Sequence, residues 1–270
     1  MAQTLPEFER PPLIEVVCGL QFHPLALRTV HVGDFWQAMR DRYPLFEDHP
    51  PLASIFDDRD GGVRLEQEDL QDDKPPLRRV FFVDETKNFL LQIGTSRFLA
   101  NWRRLPGSDA PYPRFDAAYA RLAEGWGAFR EYAARKELGA IRLNQYELTY
   151  INHIPDDTAD TFPDRANELF TFFRWPALHV ESFEPGPRST QLIFQARFQK
   201  TRGSLTIALQ NRARLHNGRR IFILELIARG PAAEDGADRD EWFAFAHDAV
   251  VQTFASLTTE KAHKSWGRIR

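Results

Sequence analysis

The chain has 270 residues, 43% hydrophobic and 27% charged, with a formal net charge of -3, enough apolar material for one large core or two joined halves. That balance excludes a dominant nucleic-acid electrostatic footprint, and a single cysteine excludes an intramolecular disulfide framework and a cysteine-based zinc site. No stretch approaches the ~18 apolar residues of a membrane span, and MAQTLPEFERPP lacks the basic and apolar regions of a secretory leader, so the expected location is cytoplasmic.

In chain order, Pro11 and Pro12 close a polar leader and LIEVVCGLQF follows as a strand, in which Cys18 alternates in phase with Val16 and Leu20 and is expected to be a buried thiol. Asp34 is placed to cap a short helix over FWQAMRDRY, which Pro44 ends. Residues 44–77 read as a long excursion with paired prolines, a DDRDGG turn and an acidic run, carrying an edge strand over Val63 to Gln67. RRVFFVDE, NFLLQIG and RFLANWRR are three strands with short links. FDAAYARLAEGWGAFREYAARKE puts Phe115, Tyr119, Leu122, Trp126, Phe129 and Ala133 at helical spacing and breaks at Gly139.

Ile141 to Ile154, IRLNQYELTYINHI, reads as one long strand with polar residues on both of its faces. A short helix over PDRANELFTFF and a proline-rich link lead to three strands, TQLIFQARFQK, GSLTIALQNRARL and RRIFILELIARG, the last two joined as a hairpin around Asn217 and Gly218. DRDEWFAFAHDAVVQTFASL is a helix capped by Asp238, with Trp242, Phe245, Ala249, Val250, Phe254 and Leu257 inward. LTTEKAHKSWGRIR is a basic tail that docks through Trp266.

Strand, helix, three strands, helix over 13–137 recurs over 141–258, which predicts an α+β fold of two tandem units, 1–138 and 139–270, sharing one core. Their sheets would join through the first strands, so that 141–154 is central and pairs with Leu13 to Phe22. The result is a large, mainly antiparallel sheet with long helices on one face. In element order it resembles the TATA-binding protein and GyrI-like ligand-binding domains, a likeness that carries no function.

Glu15, Glu147 and Glu225 sit inside apolar strands, where desolvation raises a carboxyl pKa unless cations or donors compensate. Arg197 and Arg212 are candidate partners, and Gln145, Asn152 and His153 complete a candidate polar site on the central strand. Glu147 and His153 lie on one strand face, roughly 20 Å apart at ~3.3 Å per residue, so they cannot act on each other directly. The alternative is structural, with these groups facing outward or held in ion pairs. RFLANWRRL interleaves Trp102 with Arg97, Arg103 and Arg104, a pattern able to stack bases and contact phosphates; alternatively Phe98, Ala100 and Trp102 are core and the arginines solvated. The eight histidines form no HExxH, and no dinucleotide, P-loop or nucleophile-elbow motif occurs, so no metal or cofactor is expected.

The blocks PPLIEVVCGLQF, RFLANWRR, YPRF, ELTYINHI, ELIARG and LTTEKAHKSWGR together resemble a sporadically distributed family of bacterial proteins of about this length with no established activity. The resemblance implies an accessory role in a mobile or defence-associated system and carries over no catalytic residue. The leading expectation is a binding or interaction module for a small molecule or protein partner. An enzyme using the strand carboxylates and His153, and nucleic-acid binding through the Arg/Trp strand and basic tail, are the alternatives.

Overall fold

The computed structural model describes residues 4–50, 54–57, 63–66, 77, 79–108, 110–156, 162–174, 190–213 and 220–270. The strands are β1 (Leu13–Phe22), β2 (Leu45–His49), β3 (Ser54–Asp57), β4 (Val63–Glu66), β5 (Arg79–Val83), β6 (Phe89–Ile93), β7 (Arg97–Arg103), β8 (Leu143–Pro155), β9 (Gln191–Arg197), β10 (Ser204–Ala213) and β11 (Arg220–Pro231). The helices are α1 (Thr29–Met39), α2 (Phe115–Arg135), α3 (Phe162–Leu169), α4 (Arg239–Leu257) and α5 (Glu260–Ser265). Among the described residues no helix is long and apolar enough to cross a membrane.

The fold is α+β. Nine strands form one antiparallel sheet in the order β2-β5-β6-β7-β1-β8-β11-β10-β9. The middle strand is β1, with four strands on either side, rather than β8 as the sequence reading expected; β8 lies beside it, paired with β1 as expected and with β11 on its other edge.

Alternation assigns the two sheet faces. On β1, Val16, Cys18, Leu20 and Phe22 join the main core, with Phe98, Ala100 and Trp102 of β7 and Tyr146, Leu148 and Tyr150 of β8 beside them. Trp126 and Phe129 of α2 cover this face, Trp126 lying 5.6 Å from Phe22 and 5.7 Å from Phe98 between ring centroids. The backbone of α2 can come this close because Gly125 carries no Cβ, which would sit 3.0 Å from the methyls of Leu91. On the other half Trp242 and Phe243 of α4 pack on Tyr146, and Phe35 of α1 touches Phe82 and Phe129 on the same face.

Several local expectations are corrected. Helix α1 starts at Thr29, because Arg28 N donates to His31 Nδ1 (3.0 Å) and closes the first turn. Asp34 lies inside it, accepting from Tyr132 Oη at 3.0 Å and pairing with Lys136 at 2.7 Å. The excursion contributes β2 to the sheet edge, while Val63–Glu66 pairs with β3 in a separate two-stranded sheet. The remainder of the excursion, the 175–189 link and the Asn217–Gly218 turn lie outside the described residues. Asp238 stands at the start of α4 but makes no side-chain cap bond, since its Oδ1 accepts from Tyr146 Oη (2.7 Å) and Ala233 N (3.1 Å). The inward arc of α4 is Trp242, Phe243, Ala246, Val250 and Phe254, and Phe245 turns instead toward Phe198. Trp266 docks as expected, against Phe8 and Phe254.

Candidate functional site

The structure divides the residues singled out in the sequence between the two sheet faces. Glu15, Arg97, Arg103, Gln145, Glu147, His153, Arg197 and Glu225 alternate onto the face opposite the long helices, whereas Trp102 and Asn152 alternate onto the helix side. Glu147 faces Arg229 directly across the β8–β11 ladder and accepts from its Nε at 2.6 Å, with both side chains nearly buried. Its partner is therefore Arg229 rather than Arg197 or Arg212. Arg197 is exposed on β9, three strands from Glu147 in the same row, and the side chain of Arg212 lies outside the described residues.

Glu15 anchors a polar chain across four strands. Asn101 Nδ2 donates to Glu15 (2.6 Å), Gln92 Nε2 to Asn101 (2.8 Å), and Arg79 to Gln92 (3.2 Å). Burial pushes the Glu15 carboxyl above its usual range, against the lowering effects of the Asn101 bond and of Arg103 and Arg79; Glu225, two strands away in the same row, adds to the rise. Arg103 makes a bidentate pair with Glu47 (2.7 and 3.2 Å) and donates from Nε to Lys87 O. Trp102 is 1% exposed and packs on Tyr112, so no face of its ring is open to a base. Arg104 lies over that same indole at 5.7 Å.

The helix side holds the feature with the shape of a site. Helices α2 and α4 run antiparallel in contact, Tyr119 against Phe243 (5.0 Å) and Phe115 stacked on His247 (4.3 Å, 5° between planes). Beyond Phe115 the two helices meet β8 around a cavity of about 270 Å³. The size is at the small end for a ligand pocket, where an apolar wall with a few convergent polar groups is the usual composition. Its apolar wall comes from Phe8, Leu13, Phe115, Val251 and Phe254, and its hydrogen-bonding groups from Tyr112, Tyr150, Asn152 and His247.

Those polar groups are connected. Tyr112 Oη lies 3.1 Å from Tyr150 Oη, which lies 2.9 Å from His247 Nδ1. With Tyr112 donating to Tyr150 and Tyr150 to Nδ1, the imidazole is neutral and its proton is on Nε2. Burial favours that state by lowering the His247 pKa, against the opposing charges of Asp248 and Asp116. Burial likewise raises both tyrosines, so they remain protonated hydroxyls at neutral pH. Asn152 is fixed by donating to Leu224 O at 3.1 Å.

A charged rim borders the mouth of the cavity. The N-terminal segment pairs with the last residues, Glu7 N donating to Arg270 O (3.2 Å) and Ile269 N to Glu7 O (2.8 Å). Glu7 thereby stands at the rim with Arg114 on one carboxylate oxygen and Arg270 on the other, each at 2.9 Å. Arg114, just before α2, has φ 75° and ψ 162°, a conformation a non-glycine residue adopts only under strain. Backbone strain of this kind concentrates at ligand sites.

Of the sequence candidates among the described side chains, only Asn152 lines this cavity. Tyr112 and Arg114 share the short block YPRF and Tyr150 lies in ELTYINHI, but Glu7, His247 and Arg270 come from distant segments, and the six form no recognised site motif. The available signal was the stripe Phe115–Tyr119 on α2, which marks where a second helix packs. Among the described residues no group of three or more His, Cys, Asp or Glu side chains is placed to hold a metal ion. Compared with protein-family models and with curated proteins, the sequence matches none.

Proposed function

We propose that the chain is a binding module that holds a small, largely apolar molecule in the cavity between α2 and α4. The carrying observation is the join of an apolar wall to the Tyr112–Tyr150–His247 cluster in a space of about 270 Å³. Apolar burial supplies affinity and the neutral imidazole and hydroxyls orient one polar group of the ligand. The site also bridges the two halves of the chain, since β8 and α4 belong to the second and α2 to the first. A ligand there contacts both, which suits a sensor or adaptor whose halves must be held together. An accessory role in a mobile or defence-associated system belongs to the same proposal.

The neutral probe 2-naphthol, an apolar ring system with one hydroxyl, tests the reading. It should raise the melting temperature of the purified chain saturably, and Val251→Trp, which fills the cavity, should abolish the shift while circular dichroism stays native. An equal shift in both proteins would place binding elsewhere.

A further inference from the structure

The polar end of the cavity is built around an internal carboxylate. Glu7 offers its two oxygens to two guanidinium groups from distant parts of the chain, and all three residues line the cavity. Each oxygen takes one arginine, an arrangement that divides a carboxylate between two donors instead of clamping it in one fork. Two cations meet one anion here, and Asp116 is the other charged group on the lining, on the His247 side. The side chains of Arg114 and Arg270 are 50% and 59% exposed and that of Glu7 27%, so the three groups remain in exchange with solvent. Ion pairs this exposed are weak, and an incoming carboxylate can displace one. Glu7 is itself held by backbone pairing with residues 269 and 270, so its side chain can swing aside without moving the segment.

We propose that Arg114 and Arg270 are the recognition pair for an organic monocarboxylate, for which Glu7 stands in when the cavity is empty. This rests on the small-molecule reading above and names the ligand class: an apolar, ring-bearing acid whose body lies against Phe115, Val251 and Phe254 and whose carboxylate meets the two arginines. Glu7 then sets the affinity, because a ligand must compete with a carboxylate already in place. The pair with Glu7 holds the Arg114 guanidinium at the cavity mouth.

The test compares 2-naphthoate with 2-naphthol by calorimetric titration of the full chain and of Glu7→Gln, Arg114→Gln and Arg270→Gln. Naphthoate should bind about tenfold more tightly than naphthol, the difference expected of one charge-assisted contact. Glu7→Gln should strengthen naphthoate about threefold or more and leave naphthol unchanged, and each arginine change should weaken naphthoate about tenfold while sparing naphthol. The two arginine variants are independent, so loss of folding in one leaves the other to decide. If naphthol binds as tightly as naphthoate, or if Glu7→Gln shifts both equally, the carboxylate assignment is overturned and the cavity reading survives. If neither compound binds the full chain or Glu7→Gln, both readings fall.

Discussion

Tyr150 Oη lies 2.9 Å from His247 Nδ1, which ties β8 to α4 beneath the cavity. Both groups are held in protein, so the bond also satisfies an imidazole nitrogen that water would otherwise serve. Tyr150→Phe keeps the ring and removes only the hydroxyl, leaving both His247 Nδ1 and Tyr112 Oη without that partner. It should cost about 1–3 kcal/mol in denaturant unfolding, the penalty for buried polar groups left unpaired. Tyr112→Phe should cost less, and the two changes together less than their sum, because they break one connected cluster. Strict additivity would show that the hydroxyls act separately.

Glu147 and Arg229 form a nearly buried ion pair on the opposite sheet face, with side chains 13% and 7% exposed. Removing one partner strands a charge in that environment, so Arg229→Met should cost about 3–5 kcal/mol. Glu147→Leu together with Arg229→Met should recover most of this, since two apolar groups of similar size suit a site with little water. A double variant no more stable than Arg229→Met would mean that the loss is in packing rather than charge.

The strands were legible because each keeps period-two alternation between turn residues, and α2 because its apolar positions recur at helical spacing. The phase of α4 was harder: Trp242, Phe243 and Phe245 spread aromatics over more than one face, and only contact with Tyr146 and Phe198 decides which are inward. The strand carboxylates were found as a class, yet Arg229 was not paired with Glu147, because ladder register between β8 and β11 is a tertiary property. The cavity was illegible for the same reason. His247 reads as one more polar position on an amphipathic helix until α2 lies alongside and stacks Phe115 on it.

Trp126 is 3% exposed and lies between Phe22, Phe98 and Phe129. It is the largest side chain joining α2 to β1 and β7, and neither strand nor helix can collapse far without disturbing the other. Trp126→Ala should therefore destabilise the chain by about 3–5 kcal/mol, read from the denaturant midpoint at unchanged slope. Trp126→Phe should cost distinctly less because most of the ring contact survives. Equal losses in both would locate the effect outside cavity formation.

Acid should weaken the fold through two histidines, the half-buried His247 and the buried His263. Burial lowers His247, and at His263 burial is joined by the Arg268 guanidinium, which donates to Nδ1 at 3.0 Å. In the unfolded chain both titrate near 6.5. As pH falls below that value the unfolded state binds protons that the folded state refuses, so their stabilisation is complete above about 6.5 and is lost toward the depressed folded values. Each contributes at most about 1.4 kcal/mol per pH unit within that window. Glu15 has the opposite sign: its folded pKa is raised above 4.5, so its contribution is complete below 4.5 and lost as pH rises through the folded value. Unfolding free energies at pH 7.5, 6.5 and 5.5 should fall with acid in the native sequence, and His247→Gln should flatten the slope by one proton, as should His263→Gln. A slope that persists in the double variant would assign the acid sensitivity to groups other than these two imidazoles.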